Sequence, residues 1–334
     1  MVCGRVTLGV ICYNQERFID EALRSAFAQT YESLDILVSD DCSTDQTWER
    51  VCSLAQAYSG PHRVRLNRNA KNIGFLNNLQ KLAEISETRV LVIAAGDDVS
   101  LSDRVSSIAR LFADDPRTTL VTSDFVVMDE DGETGGIEKA WPHGKAITVQ
   151  TLSRTSSALI VGCTLAYSTE IFRRFPPFRP TLLAEDSVLP FRAALLGNVK
   201  YIERPLVRYR QHRNNLSLAA RTSHNPAAGL TNARSLLESA LQRIDDIEAL
   251  RTSNQQTLST DLDYAMELSC AMARKLQRIW NAESGGIAGL NFLFRAVLVG
   301  DITISEATKT ALRTNFPTHW SRYVKWRHIS GNGR

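Results

Sequence analysis

The chain has 334 residues, 43% of them hydrophobic and 22% charged, a balance that buries a large core and excludes a disordered polymer. A formal net charge of +3, with the basic residues scattered except near the C-terminus, excludes a nucleic-acid partner and leaves anionic small ligands open. The six cysteines, at 3, 12, 42, 52, 163 and 270, show no paired metal-ligand spacing and fit reduced thiols. With Val6 to Cys12 too short for a signal core, a cytoplasmic enzyme is expected.

Residues 5 to 12 form a short β-rich apolar run, and Phe18, Ile19, Ala22, Leu23, Ala26 and Phe27 then recur as one face of a helix. Leu34 to Ser39 gives a second strand, after which Ser43 or Thr44 is placed to cap a helix burying Trp48, Val51, Leu54, Ala55 and Tyr58. Two more pairs follow, Arg63 to Asn67 with Phe75 to Ile85, and the apolar Arg89 to Ala94 with Arg104 to Phe112. This alternation predicts an α/β fold with a doubly wound, mostly parallel sheet flanked by helices. Beyond residue 115 the rhythm changes to a strand near Leu120 to Met128, a Gly-rich turn at Asp131 to Gly136 and a helix from Ser187 to Leu196. From about residue 227 the pattern is helical throughout. One face carries Leu230, Ala233, Leu237, Ala240, Leu241, Ile244 and Ile247, and another Leu258, Leu262, Ala265, Leu268, Met272, Leu276 and Ile279.

Three stretches share a pattern: Asp40-Asp41 leading to Asp45, Asp97-Asp98 after Gly96, and Glu185-Asp186. Each sets adjacent acids where an apolar run gives way to turn residues. A buried strand that ends in two carboxylates delivers them to the rim of the sheet, where open α/β folds bind ligands. Such acids suit a metal and a phosphate-bearing ligand. Each stretch alone also reads as a solvated turn or a helix start, and Asp45 reads as a helix N-terminal residue.

In this order the residues resemble family 2 glycosyltransferases of GT-A fold. The resemblance rests on Tyr13-Asn14-Gln15-Glu16 after the first strand, Ala28-Gln29-Thr30-Tyr31 closing the first helix, Asp40-Asp41 with Ser43-Thr44-Asp45, Asn72-Ile73-Gly74, Gly96-Asp97-Asp98 and Glu185-Asp186. It covers roughly residues 5 to 217 and implies metal-dependent, inverting transfer of a sugar from a nucleotide-activated donor to an acceptor hydroxyl. On the family pattern Asp41 accepts the ring N–H of the base and Glu16 lies near base or ribose. Cys12, Tyr13 and Asn14 give backbone contacts, and Asn72 and Gly74 flank the nucleotide. Asp97 is implied near the ribose and Asp98 as a ligand of Mn2+ or Mg2+, the cation a diphosphate leaving group calls for. Asp186 is implied as the catalytic base, Glu185 as a contact to acceptor or donor sugar, Arg210 as a diphosphate contact and His212 as a second metal ligand. The partners implied are a UDP-, dTDP- or GDP-linked donor and a glycan or lipid-linked glycan acceptor, in cell-surface polysaccharide, lipopolysaccharide or glycoprotein glycan synthesis.

Two positions depart from the pattern, since Ala95 and Ala184 stand where many relatives carry an acid. A nucleotidyltransferase or a dinucleotide-dependent oxidoreductase would need a Gly-rich phosphate loop, which Val10 to Asn14 lacks. The non-enzymatic alternative is a scaffold that works through its helices. The expected division is a catalytic domain over 1–225, with its nucleotide-sugar part over 1–115 and its acceptor side over 116–225, and a helical subdomain over 226–334. The helical stripes either pack on the catalytic domain or form a homodimer. Ile287 to Val299 is too short and too interrupted to span a bilayer. Thr303 to Glu306 reads as a capping box, and the Trp320 to His328 tail, aromatic and basic, suits peripheral contact with the inner face of a membrane.

Overall fold

The computed structural model describes residues 4–153, 160–182, 185–212, 215, 226–253 and 259–284. Four strand–helix pairs open the chain: β1 (Val6–Cys12) and α1 (Ile19–Phe27), β2 (Leu34–Asp40) and α2 (Thr47–Ala57), β3 (Arg63–Arg68) and α3 (Phe75–Ile85), then β4 (Val90–Ala95), the short β5 (Val99–Ser100) and α4 (Arg104–Asp114). There follow β6 (Thr118–Met128), β7 (Thr134–Glu138), α5 (Val149–Ser153), a 3-10 turn at Gly162–Thr164, β8 (Ala166–Ser168) and α6 (Glu170–Arg173). A second 3-10 turn, Glu185–Ser187, leads into α7 (Leu189–Leu196) and β9 (Asn198–Arg210); two long helices, α8 (Pro226–Thr252) and α9 (Ser259–Ser284), come last.

The sheet has the order β3-β2-β1-β4-β8-β6-β9-β5, with β7 paired to β6. Its first four strands are parallel, β8 enters antiparallel between β4 and β6, and β6 and β9 run parallel. The expected α/β class and mostly parallel, helix-flanked sheet are found. Every residue of β1 and β2 is buried, as continuous apolar runs covered on both faces must be. Val6, Leu8, Val10, Ile36, Val38 and Val92 form the middle of the core, against Ile19 and Leu23 of α1 and Val105 and Ile108 of α4. The strands also end level: Cys12 pairs with Asp40, and Ile11 with both Ser39 and Ala95. The residues after β1, β2 and β4 therefore leave the sheet at one edge.

Two local expectations are corrected. Gly135 and Gly136 lie in β7, not in a turn, and the turn is made by Asp129, whose Oδ1 accepts the N–H groups of Asp131 and Glu133. The helix expected from Ser187 begins at Leu189 because Pro190, which fits only a first turn, fixes the start there.

Among the described residues two compact units separate: one holds everything up to His212 together with Asp245–Ala265, the other the remainder. In the second, Leu237, Ala240 and Ala273 are buried with Leu236, Leu241, Ile244 and Met272 against them. No helix among the described residues is long and apolar enough to cross a membrane. The side chains of Leu230, Ala233, Leu258, Leu276 and Ile279, the 287–299 stretch, the capping box and the tail lie outside the described residues.

Gly197 joins α7 to β9 where the backbone passes Arg117 closely. A Cβ there would stand 2.2 Å from the Arg117 carbonyl oxygen and 2.8 Å from Thr119 Cγ2. Gly197→Ala should therefore destabilise the protein by about 1–3 kcal/mol, as overpacking does. Equilibrium urea unfolding measures this, and an unshifted midpoint would refute the close approach.

Candidate active site

The loop after β1 is fastened to the turn after β2. Asn14, at φ 51°, donates its N–H to Ser43 Oγ at 2.9 Å and accepts the Thr44 N–H on Oδ1 at 2.8 Å. Gln15 N–H meets Thr47 Oγ1 at 2.7 Å, and Glu16 N–H meets Asp45 Oδ2 at 3.1 Å. Glu16 Oε2 accepts the Gln46 N–H at 2.9 Å, and Cys12 O accepts the Asp41 N–H at 2.9 Å. The positive φ of Asn14 turns these groups to the β2 turn, so Cys12, Asn14 and Glu16 build the wall of the site. Tyr13 alone in this loop is an exposed large apolar side chain, 42% open, and is free to lie against a ligand.

Asp45 precedes Gln46, the N-cap of α2, and steadies the first turn through Oδ1, which accepts the Thr47 N–H at 2.9 Å; the expected caps Ser43 and Thr44 are engaged across the loop instead. Burial alone would raise its carboxyl, but hydrogen bonds from Thr47 and from the Glu16 N–H hold it below the ordinary value. Asp40 is fully buried and accepts the Ser43 N–H at 3.0 Å and the Ser43 hydroxyl, with Arg68 Nε at 3.3 Å. Asp41 gathers the loop before α3: Oδ1 accepts Asn69 Nδ2 and the Ile73 N–H, both at 2.9 Å, and Oδ2 the Gly74 N–H at 2.8 Å. Asn72 Oδ1 shares that last donor at 2.9 Å, and Gly74 sits at φ 84°, where a side chain is strained. A carboxylate has about four lone-pair positions, so Asp41 keeps capacity for one more N–H.

The turn after β4 carries Asp97 and Asp98, both buried. The structure brings His212 to Asp97, Nε2 to Oδ2 at 2.8 Å, while Asp98 Oδ1 accepts the Arg210 backbone N–H at 2.9 Å. Burial, and then the charge of Asp97, hold the Asp98 carboxyl well above its usual range. Two buried acids and an imidazole are a donor set that Mn2+ or Mg2+ accepts, and a cation would relieve the like-charge pair. Among the described residues no three such side chains stand close enough to hold an ion alone, so diphosphate oxygens or water would complete the sphere.

Arg210 is not turned outward. Its Nε donates to Asp97 O at 2.9 Å, Nη1 to Asp129 O and Glu130 O at 3.2 and 3.1 Å, and Nη2 to Glu21. The guanidinium lies 4.9 Å over the Phe18 ring, which the His212 ring also meets at 4.9 Å. Arg210 thus serves as an internal tie, bonded to three carbonyl oxygens and a carboxylate.

Glu185 and Asp186 form the second 3-10 turn, and Glu185 Oε1 packs against Gly162, where a Cβ would stand 2.1 Å away. Burial and then Asp186 push Glu185 up to about 8, and burial pushes Asp186 up to about 7. Asp186 Oδ1 is buried with no hydrogen-bond partner among the described residues. Burial raises the Cys163 thiol, with the charge of Asp98 acting in the same direction and that of Arg104 against it. Arg104, unremarked in the sequence, lies beneath, with Nη1 on Ser100 Oγ at 2.9 Å and Nη2 on Ile93 O at 2.7 Å and Cys163 O at 2.8 Å. Burial lowers it to about 10. Its spacing to Ile108 and Phe112 on the apolar face of α4 was the available signal. Phe18, read only as helix face, is the other residue missed.

Residues 7–175 match the model of glycosyl transferase family 2. The chain belongs to this family. Among its relatives, an uncharacterized glycosyltransferase of Haemophilus influenzae is 24% identical over 234 residues, covering 68% of this chain and 71% of that protein. Another, from Nostoc sp., is 26% identical over 258 residues, covering 72% and 76%. Of the solved structures, S. aureus TarS 1-349 in complex with UDP-GlcNAc matches at a TM-score of 0.57 with 16% identity, over 96% of this chain and 92% of that one. The mannosyltransferase PcManGT from Pyrobaculum calidifontis, in complex with GDP-Man and Mn2+, matches at 0.52 with 17% identity, over 92% and 84%. Likeness at this identity shows the fold, GT-A. The protein is a glycosyltransferase.

The raised acids give a pH signature. Between the ordinary carboxylate range, about 4, and the folded values of about 7 and 8, the folded chain keeps protons that the unfolded chain releases. Stability should therefore fall as pH rises through this window and level off above it. Urea midpoints at pH 5, 6, 7 and 8 measure the slope, which Asp186→Asn should reduce; an equal slope in both proteins would mean that Asp186 titrates normally.

Proposed function

We propose that this glycosyltransferase is metal-dependent and inverting, moving a sugar from a nucleotide-activated donor to an acceptor hydroxyl in cell-surface polysaccharide, lipopolysaccharide or glycoprotein glycan synthesis. The observation that carries this reading is the buried pair Asp97 and Asp98 in the turn after β4, with His212 Nε2 2.8 Å from Asp97 Oδ2. Two acids and an imidazole from distant parts of the sequence meet there, and Glu185 and Asp186 supply a second acid pair, pushed up by burial. Nucleotide-sugar ligands in TarS and PcManGT, and Mn2+ in the latter, support the same reading.

In this mechanism Asp41, with its remaining lone pair, accepts the ring N–H of the base, and Tyr13 lies against the base face. Asn72 and Gly74 shape the loop beneath it. Asp98 and His212 would hold Mn2+ or Mg2+, with Asp97 orienting His212 and facing the ribose. Such a cation, when bound, supplies a Lewis acid against the charge on the departing diphosphate. Asp186 takes the acceptor hydroxyl proton as that oxygen attacks the anomeric carbon from the face opposite the diphosphate, which inverts the configuration. A base near pH 7 is matched to this task, and burial sets Asp186 there. Glu185 faces Gly162 at the rim and contacts acceptor or donor sugar. We further propose the division into a catalytic domain over 1–225 and a helical subdomain over 226–334 packed against it, and a cytoplasmic location with peripheral membrane contact; a homodimer through those helices is the alternative arrangement.

Asp186→Asn should lower transfer by about a hundredfold or more, the usual worth of a general base, while leaving nucleoside diphosphate binding intact. Thermal shift with UDP, GDP, dTDP and CDP, each with and without Mn2+, reads the binding and names the donor class. Transfer unchanged in Asp186→Asn would remove this residue as the base, and stabilisation by a nucleotide equally well without Mn2+ would count against metal dependence.

A further inference from the structure

Arg192 of α7 is buried, and so is Asp246, on the part of α8 that belongs to the same unit. They form a two-pronged pair, Nε to Oδ2 and Nη2 to Oδ1, both at 2.8 Å. Nη2 also donates to Pro176 O at 2.8 Å. The guanidinium lies over two rings, 5.1 Å from the Phe175 centroid and 4.8 Å from that of Phe178. Next to it, Arg179 Nη1 meets Asp245 Oδ2 at 2.8 Å. Two consecutive acids on one turn of α8 thus grip both the chain before the Glu185–Ser187 turn and the helix after it.

Helix α7 is continuous with that turn. The Val188 N–H donates to Glu185 O at 2.9 Å and the Arg192 N–H to Val188 O at 2.9 Å. Between the two gripped points, Leu182 and Val188 pack with Leu76, and Phe75 and Phe178 close the same cluster. Phe178 therefore touches both the Arg192 guanidinium and the helix that opens at Gly74, under the loop Asp41 gathers. Nothing in glycosyl transfer requires a fully buried arginine and aspartate at this place. A bidentate fork fixes distance and direction at once, whereas apolar packing alone allows sliding.

We propose that Asp246 and Arg192 are positioning residues for the acid wall: the fork holds α7 in the register that sets Glu185 against Gly162, with Asp186 next to it in the same turn. This rests on the reading of Asp186 as the base. It gives this turn of α8 a task within the reaction.

The test uses the full chain with Asp246→Asn, which keeps the shape and removes the charge. Amide hydrogen exchange across residues 185–196 should speed up by about tenfold or more, with Val6–Ile11 unchanged. Nucleoside diphosphate release from the sugar nucleotide chosen by the thermal-shift panel should fall in kcat by about ten- to a hundredfold, the effect of a displacement of about 1 Å, with donor KM within about twofold. Exchange at 185–196 equal to the parent, or an unchanged kcat, would overturn the proposal, as would an equal rise in exchange throughout the first unit. Should Asp246→Asn not fold, Arg192→Lys keeps the charge and loses the fork; it should show the same pattern, and parent-like exchange and turnover would be decisive against it. The base reading fails separately, through Asp186→Asn that still transfers, because the exchange measurement does not depend on it.

Discussion

A carboxylate at the buried end of a strand must be given donors or neutralised, and the rest of this site follows from that requirement. The level ends of β1, β2 and β4 deliver Asp40, Asp41, Asp97 and Asp98 to one edge where water is scarce. Asp40 winds the β2 turn around itself through Ser43, and Asp41 winds the 69–74 loop through two backbone N–H groups and one side chain. Asp98 takes the amide at the end of β9. Loops with few apolar contacts of their own are thus ordered by the acids they surround.

The acids separate into two kinds by environment alone. Those given several donors, such as Asp45, are stabilised as anions and serve as fixed structure. Those given few, Asp98, Glu185 and Asp186, have their carboxyls pushed up by burial. Side chains of the same chemistry can therefore brace a loop in one place and exchange protons in another, as the balance of burial and hydrogen bonding dictates.

The fold was largely legible because β1, β2 and β4 are apolar on both faces and break sharply into turn residues; Phe75 to Ile85 is found at its expected bounds. The places of the acids were legible for the same reason. What the pattern did not carry is which neighbour each polar group meets. Glu16 finds Gln46 thirty residues on, and Arg210 finds Glu21 at a separation of 189. Such pairings depend on strand order, which periodicity does not encode. Arg104 and Arg192 stood on apolar helix faces, yet a lone arginine in a stripe does not announce the carbonyl oxygens or the carboxylate that compensate it.

The tie made by Arg210 has a consequence for how such a site can diverge. It grips the β6–β7 hairpin through the carbonyl oxygens of Asp129 and Glu130, groups that every residue possesses. Point changes at Glu130, Asp131 and Glu133 leave these carbonyl oxygens in place, whereas loss of the Asp129 carboxylate that shapes the turn, or an insertion or deletion that reroutes the backbone, breaks the grip. The tip is thus free in composition at those three positions and constrained in length, which allows part of the rim of the site to be rewritten while the turn bearing Asp97 and Asp98 stays where it is.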